Sequence, residues 1–118
     1  MGGRHQHGIC AMNHKIIQQD IRLLAQNIVD KARQKTMLVA LAESCTGGMI
    51  AAALTDISGS SAILDRGFVT YSNHAKIDIL DVKNTTLDQH GAVSEQTARA
   101  MVDGTFNAAP MADVALSV

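Results

Sequence analysis

The chain has 118 residues, of which 47% are hydrophobic and 18% charged, with a formal net charge of −1. That length suits one domain around one hydrophobic core, and the composition excludes both a disordered chain and a polycationic nucleic-acid binder. Trp is absent and the aromatics are two Phe and one Tyr, which argues against the stacking platforms of single-strand binders.

No stretch approaches the ~18 consecutive apolar residues of a membrane span, and the N-terminus lacks the apolar core of a signal peptide. A cytoplasmic protein without membrane attachment is expected. Cys10 and Cys45 lie far apart in sequence, which is no disulfide framework, so reduced thiols are the default.

In chain order, residues 1–13 are polar, glycine-bearing and aperiodic, and read as a flexible tail ahead of a single domain over residues 14–118. His5, His7, Cys10 and His14 match none of the usual zinc spacings, so no metal is assigned to them. From Ile16 onward, Ile17, Ile21, Leu24 and Ile28 recur at helical spacing, while Gln18, Gln19, Asp20, Arg22, Gln26 and Asp30 supply a wet face. The run Met37–Leu41 lacks alternation, as expected of a parallel strand covered on both faces. A helix before it and another after it predict a layered α/β arrangement.

Between that strand and the next helix stands Ala42-Glu43-Ser44-Cys45-Thr46-Gly47-Gly48. A hydroxyl and a thiol thus sit at a strand's C-terminal end, two glycines allow a sharp turn, and the helix beginning near Gly47 offers free N–H groups. Such a turn can build a nucleophile site. Plainer uses compete: Ser and Thr as N-caps, Gly-Gly as a turn, Cys45 as a small buried residue.

That helix should finish near Leu54 or Thr55, and residues 56–61 have turn composition. Phe68–Tyr71 reads as a second strand, followed by a short helix from about Asn73 that carries Lys76 in its first turn. Residues 83–93 read mostly as loop, with a single helical turn at Thr86-Leu87-Asp88. Ser94 is an N-cap for a helix containing Ala98, Met101, Val102 and Phe106, and Glu95 suits the positive end of its dipole. Pro110 closes the helical region, and residues 113–118 read as another buried strand. There is no G-x-G-x-x-G, no Walker-type loop and no metal-ligand spacing, so no cofactor is implied.

Several of these segments occur together in one order: A-E-S-C-T-G-G at residues 42–48, Gly59-Ser60-Ser61, Asp65-Arg66, G-F-V-T-Y-S-N-x-A-K at residues 67–76, and His90-Gly91-Ala92-Val93-Ser94-Glu95. Over about Leu38 to Val118 the chain resembles the CinA C-terminal domain family, which includes nicotinamide-nucleotide amidases. Ser58 departs from the family's P-G-S-S turn, and family members continue past Val118 into a glycine-rich T-G-I-A-G-P-G-G loop that helps form their active site. The resemblance implies a three-layer α/β/α sandwich with a mainly parallel sheet, here expected to be truncated. A sheet edge left unpaired by truncation would invite association, so a homo-oligomer is expected.

The implied activity is deamidation of nicotinamide mononucleotide to nicotinate mononucleotide and ammonia. The implied roles are Ser44 as nucleophile and Lys76 as base in a Ser-Lys arrangement, which requires a desolvated lysine. Tyr71 either relays a proton between them or packs with its hydroxyl in water. Backbone N–H groups around Cys45, Thr46, Gly47 and Gly48 are candidate oxyanion or phosphate donors, and Cys45 is a lining residue or a second candidate nucleophile. Glu43 either orients Lys76 or a substrate hydroxyl, or serves as a cap. Arg66, with Ser60 and Ser61, either meets the nucleotide phosphate or pairs with Asp65 or Glu95. His74 and His90 are expected at the surface. The alternative is a catalytically inactive domain acting as a nucleotide-binding or oligomeric interaction module.

Overall fold

The computed structural model describes the backbone of residues 3–118 and the side chains of residues 17–118. The elements in order are α1 (Gly3–Lys35), β1 (Val39–Glu43), α2 (Met49–Thr55), a 3-10 turn (Ser60–Ala62), β2 (Leu64–Val69), α3 (Asn73–Leu80), α4 (Asn84–His90), α5 (Glu95–Ala108) and β3 (Val114–Ser117). The three strands form one parallel sheet of order β2-β1-β3. Every residue of β1 is buried, as its unbroken apolar run requires of a central strand.

The pleat of β1 divides the core in two. Val39 and Leu41 face α1 and α2, meeting Ala25, Val29, Ala32 and Leu54. Ala42 faces the other way, toward Leu80 of α3, Leu87 of α4 and Met101 of α5, with Val82 beside them. Helices thus cover both faces, giving the expected α/β/α layering.

The structure departs from the sequence reading in five places, the first being β3, read as a buried strand but an edge strand that leaves Val114 and Leu116 exposed. The backbone is helical from Gly3, so the segment read as a tail extends α1; the side chains of His5, His7, Cys10 and His14 lie outside the described residues. On α1 the packed stripe is Ala25, Val29 and Ala32, whereas Ile17, Ile21, Leu24 and Ile28 are exposed. Small side chains let the helix backbone approach the sheet, and that closeness outranks the larger apolar row. The second strand begins at Leu64 and ends at Val69, earlier than expected at both ends. Its polar Asp65 and Arg66 are tolerated because β2 lies at a sheet edge. Residues 84–90, read mostly as loop, form α4, anchored by buried Leu87.

Where α3 and α5 cross, Gly104 presses its backbone on Leu80: a Cβ added there would overlap the Leu80 carbonyl oxygen and stand 2.8 Å from Leu80 Cβ. Gly104→Ala is therefore expected to destabilise the fold by about 2–3 kcal/mol in urea unfolding, because both clashing groups belong to packed helices. Gly67→Ala is the control. Its Cβ would lie 3.6 Å from Ala51 Cβ, an ordinary contact, and the variant should stay within about 0.5 kcal/mol of wild type.

Candidate active site

Ser44 follows the last residue of β1, and alternation turns it to the face opposite Glu43. The backbone here is tied to both neighbouring strands. Thr70 N–H donates to Glu43 O at 2.8 Å, and Ser44 N–H donates to Val118 O. The chain then turns through Gly47 (φ 61°) and Gly48 (φ 109°), left-handed values that strain any residue with a Cβ. Ser44 is thereby held at a strand end by rungs on both sides.

On the other side of the site, Ser72 accepts from Ala75 N–H at 3.0 Å and caps α3. The capped helix begins close to the end of β2 and directs Lys76 back over the sheet. Lys76 is fully buried, and its Nζ lies 2.9 Å from Ser44 Oγ, 2.9 Å from Thr70 O and 3.0 Å from Tyr71 O. The ion pairs among the described residues, Arg22–Asp56, Arg66–Asp65 and Arg99–Glu95, leave Lys76 without a carboxylate. Burial pushes its ammonium below the ordinary range, while negative charge on Cys45 acts in the opposite sense.

Three oxygens meet the three ammonium protons, but they are not equivalent. Carbonyls only accept, whereas a hydroxyl both donates and accepts. When Lys76 loses a proton, its two remaining N–H groups can satisfy Thr70 O and Tyr71 O, and the lone pair is left facing the Ser44 hydroxyl. The surroundings therefore aim the neutral amine at Ser44.

Glu43 is spent on α2. Its Oε1 accepts from Thr46 Oγ1 at 2.7 Å and from Ile50 N–H at 2.8 Å, and its Oε2 accepts from Ala51 N–H at 3.0 Å. Burial alone would raise its pKa, but Thr46 and the amides of Ala51, Ile50 and Gly48 outweigh it and hold the carboxyl below its usual range. Glu43 is thus a cap and contacts neither Lys76 nor open solvent. Gly47 N–H closes the turn on Ser44 O at 3.1 Å, while the N–H groups of Cys45 and Thr46 have no partner among the described residues. Cys45 is exposed beside them and is not a core residue.

Other expected members lie elsewhere. Ser60 and Ser61 sit in the turn that precedes Ile63, whose carbonyl accepts from Val39 N–H at the start of β1. They are at the opposite end of the strand from Ser44, and Ser60 Oγ reaches only Thr55 O at 3.5 Å. Arg66 pairs with Asp65 at 2.6 Å and donates to Ala108 O at 3.0 Å, where the end of α5 carries partial negative charge. Tyr71 contributes its carbonyl, but its side chain is 72% exposed and its hydroxyl has no hydrogen-bond partner among the described residues. His74 and His90 are exposed, and no group of three potential metal ligands occurs among the described residues. No helix among them is long and apolar enough to cross a membrane.

Fold and site together define a layered α/β domain with a buried lysine set against a serine at a strand end. The chain belongs to the CinA C-terminal domain family, which it matches over residues 21–118. It is 59% identical over 86 residues to the nicotinamide-nucleotide amidohydrolase PncC of Enterobacter agglomerans, covering 73% of this chain and 52% of that protein. The PncC of Escherichia coli strain K12 is 46% identical over 99 residues, covering 84% of this chain and 59% of that protein. The crystal structure of competence/damage inducible protein CihA from Agrobacterium tumefaciens superposes with a TM-score of 0.73 at 53% identity, covering 75% of this chain and 53% of that one. The competence damage-inducible protein A (ComA) of Klebsiella pneumoniae gives 0.79 at 36% identity, covering 82% of this chain and 60% of that one. The chain thus spans little more than half the length of these relatives.

Two pH-dependent outcomes follow, one from Glu43 and one from Lys76. Glu43 has a lowered folded pKa, so its contribution is present above the ordinary value of 4.5 and lost as pH falls through the folded one. Glu43→Gln should cost about 1.5–3 kcal/mol at neutral pH, with the gap to wild type closing in acid, as read by urea unfolding. Lys76 has a folded pKa below its ordinary 10.5, so in that window the unfolded chain binds the extra proton and stability rises with pH. The melting temperature of wild type should accordingly gain on that of Lys76→Met between neutral pH and about 10.

Proposed function

We propose that the chain is an amidohydrolase that deamidates nicotinamide mononucleotide, with Ser44 as nucleophile and Lys76 as its base. The observation that carries this reading is the 2.9 Å contact between Lys76 Nζ and Ser44 Oγ inside a carboxylate-free, fully buried setting. The relatives named nicotinamide-nucleotide amidohydrolase supply the substrate.

The chemistry runs in two stages. Neutral Lys76 takes the hydroxyl proton of Ser44 as Oγ bonds to the carboxamide carbon, and the C=O electrons move to oxygen. The amides of Cys45 and Thr46, uncommitted in the fold, are the donors for that oxyanion. Collapse breaks the C–N bond, Lys76 returns the proton to nitrogen, and ammonia leaves. Water then attacks the Ser44 ester with Lys76 again as base, releasing nicotinate mononucleotide. The net reaction consumes one water and needs no redox partner. The same reading takes a homo-oligomer as the working form, with Ile17, Ile21, Leu24 and Ile28 exposed in one row on α1 as the supporting surface.

The test is ammonia release from nicotinamide mononucleotide by the purified chain, with gel filtration to establish folding and assembly. Turnover is expected, lowered about 10³-fold or more by Ser44→Ala and about 10²- to 10⁴-fold by Lys76→Met. Absence of turnover from a folded protein would sink the amidase reading and leave a nucleotide-binding or oligomeric interaction module.

A further inference from the structure

One buried hydroxyl is not absorbed by this mechanism. Thr70 is fully buried, and its Oγ1 is the only buried side-chain polar atom among the described residues without a hydrogen-bond partner. Its location is informative. The β1–β2 register ends on Glu43 opposite Val69, so the next pair sets Thr70 beside Ser44. Val69 lies near Gly48 on the α2 face, and alternation puts Thr70 with Phe68 on the face that carries α3 and Lys76. The carbonyl of this same residue already accepts from Lys76 Nζ at 2.9 Å.

An isolated buried hydroxyl is a liability, because its desolvation is uncompensated and a valine of the same shape would avoid it. Lys76 offers a use for it. Of the lysine's three acceptors, the two carbonyls are permanent, but Ser44 Oγ stops being a good acceptor once it is bonded to the substrate carbon. In each tetrahedral intermediate Lys76 carries the proton it has just taken, and one of its three N–H groups has then lost that acceptor. A χ1 rotation of Thr70 exchanges its methyl and hydroxyl positions and is the smallest motion that moves an uncommitted oxygen toward Nζ.

We propose that Thr70 is a positioning residue whose hydroxyl takes over the third hydrogen bond of Lys76 when Ser44 Oγ ceases to accept it. The proposal rests on the Ser44–Lys76 reading above. It assigns Thr70 no contact with substrate. Its role is to keep the lysine aimed while it holds the proton taken in each stage, before that proton is passed on.

A double-mutant cycle tests this without requiring turnover, because Ser44→Ala permanently removes the third acceptor. With Ser44 present, Thr70→Val should raise the melting temperature by about 2–4 °C, since it removes an unpartnered hydroxyl. In the Ser44→Ala background the same substitution should lower it by a similar amount, because Lys76 now depends on that hydroxyl. Thr70→Ser should match the parent in both backgrounds. An effect of Thr70→Val that has the same sign and size with and without Ser44 would overturn the proposal. Where the wild-type chain turns over, Thr70→Val should lower kcat about tenfold with KM unchanged, and Thr70→Ser should restore it. An unchanged kcat in Thr70→Val would also overturn it. A wild-type chain that releases no ammonia defeats the amidase reading alone, and the cycle still decides the role of Thr70.

Discussion

The arrangement turns on a lysine amine buried where a salt bridge would defeat its purpose. An ammonium taken out of water needs compensation, and a nearby carboxylate would supply it by fixing the proton in place. Here the compensation comes from neutral oxygens: two backbone carbonyls and one hydroxyl. Carbonyl dipoles make burial tolerable, yet the desolvation that lowers the lysine's proton affinity persists. The result is an amine with lowered proton affinity, held in a direction set largely by two backbone carbonyls.

That geometry depends on the pleat of β1 more than on any single contact. Glu43 and Ser44 are adjacent in sequence but project to opposite faces, the first into the N-terminus of α2 and the second toward α3. A one-residue slip of register would exchange them, delivering a carboxylate to Lys76 and a hydroxyl to α2. The slip is prevented by the two cores, because Leu41 belongs to one and Ala42 to the other. Packing of ordinary aliphatic residues thus keeps acid and base apart at the strand end.

Much of this was legible in the sequence. The layered fold followed from the apolar run of β1 between helical patterns, and the Ser44 and Lys76 pairing followed from motif resemblance. What escaped depended on three-dimensional closeness. The buried stripe of α1 is Ala25, Val29 and Ala32, and periodicity alone favours the bulkier Ile and Leu row. Ser60, Ser61 and Arg66 belong to matching motifs, but strand direction carries them away from Ser44, and direction within a sheet is a property of topology. Ser72 carried a readable signal, a cap residue immediately before a helix. Thr70 did not, since one threonine after a strand looks like any other until its hydroxyl is found without a partner.

The proposed amidase reading favours one of the two uses between which the sequence left this turn, oxyanion binding over phosphate binding. A helix N-terminus attracts a phosphate through free amides and positive dipole charge. At α2 both are already engaged, because the Glu43 carboxylate accepts from Ile50 and Ala51 and carries a full negative charge. A phosphate placed there would meet repulsion and find its donors occupied. The amides of Cys45 and Thr46 precede this capped region, on the stretch of chain that leads directly from Ser44. On the proposed amidase reading they suit one developing oxygen charge beside Ser44, and the nucleotide's phosphate is held by groups away from α2.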